Sequence, residues 1–192
     1  MVRVPKVGGL PREVSVLAAI AFCVALGFGI VIPAIPLFAR TFGVSAFAAS
    51  AVISVFAAMR LVSSPPAGWL VNRFGERIIM STGLAIVAVS SLFAGLATDY
   101  GQLLVLRGIG GTGSAMFTIS ATALLLRVTE PEYRGRASGL FQAGFLIGGV
   151  VGPAVGGLVI GISIRAPFFV YAGTLFAAFI VAVTLLPRLA KT

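Results

Sequence analysis

Apolar residues in this chain gather into long blocks, and charged or turn-forming residues are confined to the short gaps between them. Six blocks stand out, over about 14–38, 47–70, 78–97, 103–126, 137–160 and 167–186. Each holds roughly 20 or more residues, enough for a helix to cross ~30 Å of hydrocarbon. Long apolar runs bounded by charge predict transmembrane helices, so six are expected. The short gaps make consecutive helices antiparallel neighbours. No linker or low-complexity segment divides the chain, so residues 1–192 form one expected domain, an all-α integral membrane protein.

Composition agrees with the pattern. The chain is 59% hydrophobic and only 10% charged, whereas soluble domains carry about 25% charged residues. Too few polar side chains are present to cover a water-facing surface. A net charge of +9 raises the question of nucleic acid, but the basic residues stand singly or in small groups between apolar blocks, which argues against such a partner. Cys23 is the single cysteine and histidine is absent, so no disulfide, metal site or cofactor is expected. An enzyme is not expected either. The first block is ~25 residues long and contains Pro33 and Pro36, which suits a retained helix better than a cleaved signal.

Lysine and arginine in the gaps set an expected orientation. With a cytoplasmic N terminus, Arg3, Lys6, Arg12, Arg73, Arg77, Arg127, Arg134, Arg136, Arg188 and Lys191 fall inside, against Arg40 and Arg165 outside. Ten against two places both termini in the cytoplasm.

Two arginines remain within blocks. Arg60 lies near the middle of the second, roughly 15 to 20 Å from either surface. A charge there costs about 2.5–3.5 kcal/mol to insert and usually faces a bundle interior or a wet cavity. Arg107 is closer to the outer boundary, where it has two options: facing inward, or snorkelling to the head groups.

Glycines accompany Arg107. Residues 108–113 read Gly-Ile-Gly-Gly-Thr-Gly, a dinucleotide-binding pattern by letter, but no strand precedes it and a long apolar helix follows. Close helix–helix contact is the better reading. In the fifth block Gly144, Gly148, Gly152 and Gly156 recur every four residues on one face, with Gly157 and Gly161 as a second small row. Pro153 predicts a bend. Such a face suits a pivot between moving helices or a static dimerisation surface, and periodicity does not separate these.

Four stretches in order resemble the N-terminal half of a major facilitator superfamily transporter of the drug–proton antiporter branch. Residues 26–36, with Gly27, Pro33 and Pro36, resemble its first-helix signature. Residues 68–78, with Gly68, Asn72, Arg73, Gly75 and Arg77, resemble the cytoplasmic loop motif. Arg107 with Gly111, Gly113 and Ala115 resembles the arginine motif associated with proton transfer. Gly148, Gly152, Pro153, Gly156 and Gly157 match every fixed position of the antiporter motif.

The resemblance implies six helices built as two inverted three-helix repeats, half of a fold whose substrate cavity lies between two halves. It implies a cell-membrane secondary transporter, exporting small amphipathic or drug-like molecules by alternating access, with proton coupling as one option. Cavity walls would come from the first, second, fourth and fifth helices. Arg60 and Arg107 would be the internal charges of the substrate and coupling pathway, and Phe28, Phe56, Phe117 and Phe145 would meet an apolar substrate. The alternative is a non-transporting scaffold, accessory subunit or truncated relic. The chain stops where the family's central loop would begin, so the expected partners are the lipid bilayer, a small-molecule substrate, and a missing C-terminal half or a second copy.

Two departures from the family pattern matter. The loop carboxylate that latches the inner face is Asn72 here, and Glu76 replaces a usual basic residue, implying a rewired latch. Gly75 is expected to take a positive φ in the tight turn, and Asn72 to cap the following helix. None of the six blocks contains an acidic residue. Arginine does not release its proton at physiological pH, so a proton carrier would have to lie elsewhere.

Overall fold

A computed structural model describes residues 6–7 and 10–186. Arg3, Arg188 and Lys191 lie outside the described residues. Among the described residues, six helical crossings are long and apolar enough to span a membrane. A short antiparallel pair, β1 (Lys6–Val7) with β2 (Leu10–Pro11), precedes them. The first crossing is not one helix over 14–38 but two, α1 (Arg12–Val31) and α2 (Ala34–Arg40). The interruption falls at Pro33, whose ring nitrogen offers no proton to the preceding turn. Glu13 falls in the first turn of α1.

The second crossing is α3 (Ala46–Phe74), which runs unbroken through Pro65 and Pro66, and the third is α4 (Glu76–Gly95). α5 (Tyr100–Val128) leads through a 3-10 turn (Pro131–Tyr133) into α6 (Arg134–Ile162) and then α7 (Ala166–Leu185). Side-chain oxygens cap two of these helices. Ser45 Oγ accepts from the Ala48 amide at 3.2 Å, and Asp99 Oδ1 from the Gln102 amide at 2.9 Å.

The turn between α3 and α4 differs from expectation. Asn72 is exposed within α3 and caps nothing. Gly75 alone separates the two helices, at φ 90°, and its amide donates to the Val71 carbonyl at 2.8 Å. Its ψ of 155° puts Gly75 in a positive-φ region that is essentially glycine-only and costs other residues on the order of 1–3 kcal/mol. Gly75→Ala is therefore expected to lower the thermal midpoint in detergent, whereas Gly68→Ala is expected to hold or raise it. Gly68 is a mid-helix glycine with nothing within 4 Å of an added Cβ, so alanine there gains helix propensity. Equal midpoints for the two variants would contradict this account of the turn.

The packing obeys an internal two-fold. α1 lies on α6 and α7, α3 on α5, and α4 on α5 and α7. Exchanging the first three crossings for the last three turns the α1–α6 pair into α5–α3 and the α4–α5 pair into α7–α1. The α4–α7 pair maps onto itself. Two inverted three-helix repeats thus share a core that includes Leu17, Ile20, Phe38, Met80, Leu84, Leu103, Phe168 and Leu175.

Glycine makes the α1–α6 seam. A Cβ added at Gly148 would lie 2.6 Å from the Phe22 carbonyl oxygen, at Gly152 2.7 Å from Gly29 Cα, and at Gly156 2.5 Å from the Ile30 carbonyl oxygen. Gly144 meets the Ala18 carbonyl in the same way. This row packs within one chain and is not a dimerisation face. The second row does not pack: Gly157 and Gly161 have no atom within 4 Å of an added Cβ. Helix α6 continues through Pro153 without interruption.

α3 and α6 are the least covered crossings, with 22% and 17% of their most apolar stretches buried against 61% for α4. Leu61 and Val62 on α3, and Leu146, Val150 and Leu158 on α6, are left exposed. Between these two helices lies the candidate site.

Candidate functional site

The site begins with the glycines that follow Arg107. Gly111 sits directly against the Phe56 carbonyl of α3, and Gly113 faces the Gly83 carbonyl of α4, 2.7 Å from where its Cβ would be. α5 is thereby pressed between α3 and α4. That approach sets the Phe56 ring 4.4 Å from the Arg107 guanidinium carbon, with the Phe28 ring of α1 at 6.0 Å. Phe28 and Phe56 stack at 5.3 Å, and Tyr171 of α7 lies 6.1 Å beyond Phe28.

Arg107 is only 2% exposed, and its Nε and Nη2 have no hydrogen-bond partner. It does not snorkel. It stands seven residues into α5, which begins at Tyr100, about 10 Å along the helix, and points into the bundle. Cation–π contact recovers about 2 kcal/mol when desolvated, less than the several kcal/mol of taking the charge out of water. The burial of Arg107 is therefore a net cost to the fold.

Arg60 is the middle residue of the 29 in α3 and is exposed. Its Nη2 donates to Thr118 Oγ1 at 3.2 Å. Thr118 donates in turn to the Ser114 carbonyl at 2.9 Å, and Thr122 to the Thr118 carbonyl at 2.9 Å. These hydroxyls recur every four residues on one face of α5.

Together these groups line a cavity of about 540 Å³. Phe28, Phe56, Phe117, Phe141, Phe145 and Tyr171 supply its aromatic wall, and Arg60, Ser114, Thr118, Thr122, Ser138 and Gln142 its polar one. The lining comes from the first, second, fourth and fifth crossings, with Tyr171 added from the sixth. Arg107 stands behind the Phe56 ring and does not line the space. No aspartate or glutamate does so. Among the described residues, no three His, Cys, Asp or Glu side chains gather as metal ligands would.

The remaining motif residues lie elsewhere. Gly149 and Pro153 border the cavity, while Gly148, Gly152 and Gly156 face α1 and Gly157 faces outward. Gly27 abuts Tyr171 and Thr174 of α7. Pro33 is the N-cap residue just before α2, and Pro36 sits in the first turn of that helix. The loop residues form a separate cluster at the α3–α4 end. Arg73 lies over Trp69 at 5.6 Å and Phe74 at 5.8 Å, and Arg77 donates to the Val183 carbonyl of α7. Glu76 binds Arg127 of α5 through both carboxylate oxygens, at 2.9 and 3.1 Å. The substituted position thus ties α4 to α5 inside this bundle.

Sequence reading missed Tyr171, Gln142 and the hydroxyl ladder. The spacing of Ser114, Thr118 and Thr122 was the available signal for the ladder. Gln142 was detectable as an amide inside an apolar block.

Residues 17–192 match the family model described as Major Facilitator Superfamily. The chain is 34% identical over 148 residues to Multidrug resistance protein 2 of Bacillus subtilis (strain 168), covering 77% of this chain and 37% of that protein. It is 29% identical over 176 residues to Quinolone resistance protein NorA of Staphylococcus aureus (strain MRSA252), covering 91% of this chain and 45% of the relative. It therefore spans less than half the length of either. A crystal structure of the peptide transporter POT superposes with a TM-score of 0.85 at 18% identity, over 94% of this chain and 39% of that one, a likeness of fold.

Proposed function

Because this chain belongs to the major facilitator superfamily, we propose that it forms one half of a secondary transporter that exports small amphipathic or drug-like molecules. The cavity between α3, α5 and α6 carries this reading. It combines aromatic surface with a few polar groups, as small-molecule sites do, and it is open along the two least covered helices. A second six-helix half, or a second copy of the chain, covers α3 and α6 and completes the enclosure. Alternating access is then a rocking of the two halves about the site. The two resistance-protein relatives named above, each matched over less than half of its length, support the same reading.

The excess of basic residues in the loops supports cytoplasmic termini, and in that orientation the Glu76–Arg127 pair works at the inner face. Arg60 and Arg107 are the charges of the transport pathway. The glycine seam of α6 holds α1 rigidly, so that the half moves as one body.

The test is water access. In a Cys23→Ser background within lipid vesicles, Ser114→Cys and Gln142→Cys are expected to react with a membrane-impermeant maleimide, while Leu158→Cys is protected. Protection of both cavity positions would remove the transport pathway. Single copies reconstituted without cross-links are expected to move no amphipathic dye, and robust efflux by such monomers would overturn the half-transporter reading.

A further inference from the structure

Resting on the transporter reading, the geometry points to an aromatic organic anion as the ligand of this cavity, its carboxylate or sulfonate on Arg60 and its ring among the phenylalanines. The first ground is charge. Arg60 borders the cavity, and no acidic side chain lines it. Arg60 takes no part in an ion pair among the described residues, and a neutral hydroxyl, Thr118, is its side-chain partner. A guanidinium presents five donors in a planar fork matched to a carboxylate. One hydrogen bond to Thr118 leaves most of that fork for a ligand.

The second ground is the direction of the neighbouring hydrogen bonds. Thr118 and Thr122 give their protons to backbone carbonyls of α5. Their oxygens therefore act as acceptors, and Thr118 steadies the guanidinium instead of competing with it for an anion. The Thr118 hydroxyl holds Arg60 at mid-helix, where a flexible side chain would otherwise be free to swing.

The third ground is Arg107. It lies behind Phe56, 4.4 Å from the ring, with no carboxylate against it and two of its nitrogens unpartnered. A buried charge is screened far less than an exposed one, so its field reaches the cavity through the aromatic wall. An aromatic anion gains from both guanidinium groups. A cation of the same shape meets two like charges and no compensating carboxylate, and like-charge juxtaposition is how a site rejects the wrong ligand. The edge-to-face pair Phe141–Phe145, with centroids at 5.2 Å, and Phe117 at 6.2 Å from Phe145 offer ring faces and edges for an aromatic body. Anion export is also favoured by an inside-negative membrane potential, which makes a titratable carboxylate in the spans unnecessary for outward movement.

The experiment compares two probes with one ring and opposite charge, 2-naphthoate and 2-naphthylmethylammonium, at pH 7. Binding to the full chain in zwitterionic lipid nanodiscs is measured by equilibrium dialysis, with empty discs as the blank. The chain is expected to bind 2-naphthoate at least about tenfold more tightly, the scale of one charge-assisted hydrogen-bonded pair. Arg60→Gln is expected to remove most of the preference, weakening the anion and tightening the cation while the Arg107 charge remains, and Arg60→Lys to keep most of it. Similar affinities, tighter binding of the ammonium probe, or an Arg60→Gln variant whose preference for naphthoate is undiminished would overturn the inference and leave the transporter reading standing. Failure of both probes to bind would likewise overturn the inference, and the maleimide access test decides the transporter reading separately.

Discussion

Gly152→Leu is expected to prevent the bundle from assembling. The seam between α1 and α6 is a contact of backbone against backbone. A Cβ at 152 would lie 2.7 Å from Gly29 Cα and 2.7 Å from the Leu26 carbonyl oxygen, and neither can rotate away as a side chain would. The helices must separate along their length, which also pulls Gly148 and Gly156 off their partners. In lipid no hydrophobic force pushes helices together, so van der Waals packing at such small-residue seams is what holds them. Overpacking of this kind costs about 3 kcal/mol or more when the backbone has to move. Gly157→Leu is the matched control on the same helix, because nothing lies within 4 Å of its Cβ. Fluorescence-detected size exclusion of the two variants should show the first as aggregate or absent and the second as a wild-type peak. A monodisperse, normally abundant Gly152→Leu protein would mean that the seam is not where the structure puts it.

Arg107→Met is expected to act in opposite directions on stability and on function. The wild-type guanidinium is buried at 2% exposure with Nε and Nη2 unpartnered. Replacing a buried charge with an apolar side chain of similar length removes the desolvation penalty, and such exchanges are often stabilising by 1–4 kcal/mol. Against that stands the lost cation–π contact with Phe56, about 2 kcal/mol when desolvated. The balance favours a thermal midpoint in detergent at or above that of the wild type. Transport by the assembled protein should nevertheless be lost, because the second positive charge of the pathway is gone while the fold is intact. A lowered midpoint with reduced abundance would make Arg107 a structural residue and would withdraw it from the pathway.

These two sites also show what could be read before the structure was known. Arg107 was visible as a charge in an apolar block, yet its distance from the boundary left snorkelling open. What turned it inward was Gly111, which lets the Phe56 backbone of α3 close in. The glycine row of α6 was equally visible, but its partner was not. Gly148 and Gly157 are both motif glycines, and only the first has a neighbour to touch. At the α3–α4 turn the need for a positive φ at Gly75 was legible, because no other residue type adopts it cheaply. The role of Asn72 was misread, since a cap requires the helix to end there and α3 runs on through Phe74.

Six membrane crossings, their approximate limits and the absence of carboxylates within the blocks were determined by the sequence alone. The physical reason is that hydrocarbon offers the backbone no hydrogen bonds, so any sufficiently long apolar run must satisfy itself as a helix. The rotation of each helix about its axis was decided only by the tertiary structure. Membrane helices are apolar on nearly every side, so hydrophobic patterning does not say which face turns inward. Shape does: the backbone contacts at Gly111, Gly113 and Gly152 set the rotations, and those rotations bring Arg60, Thr118 and six aromatic rings around one space.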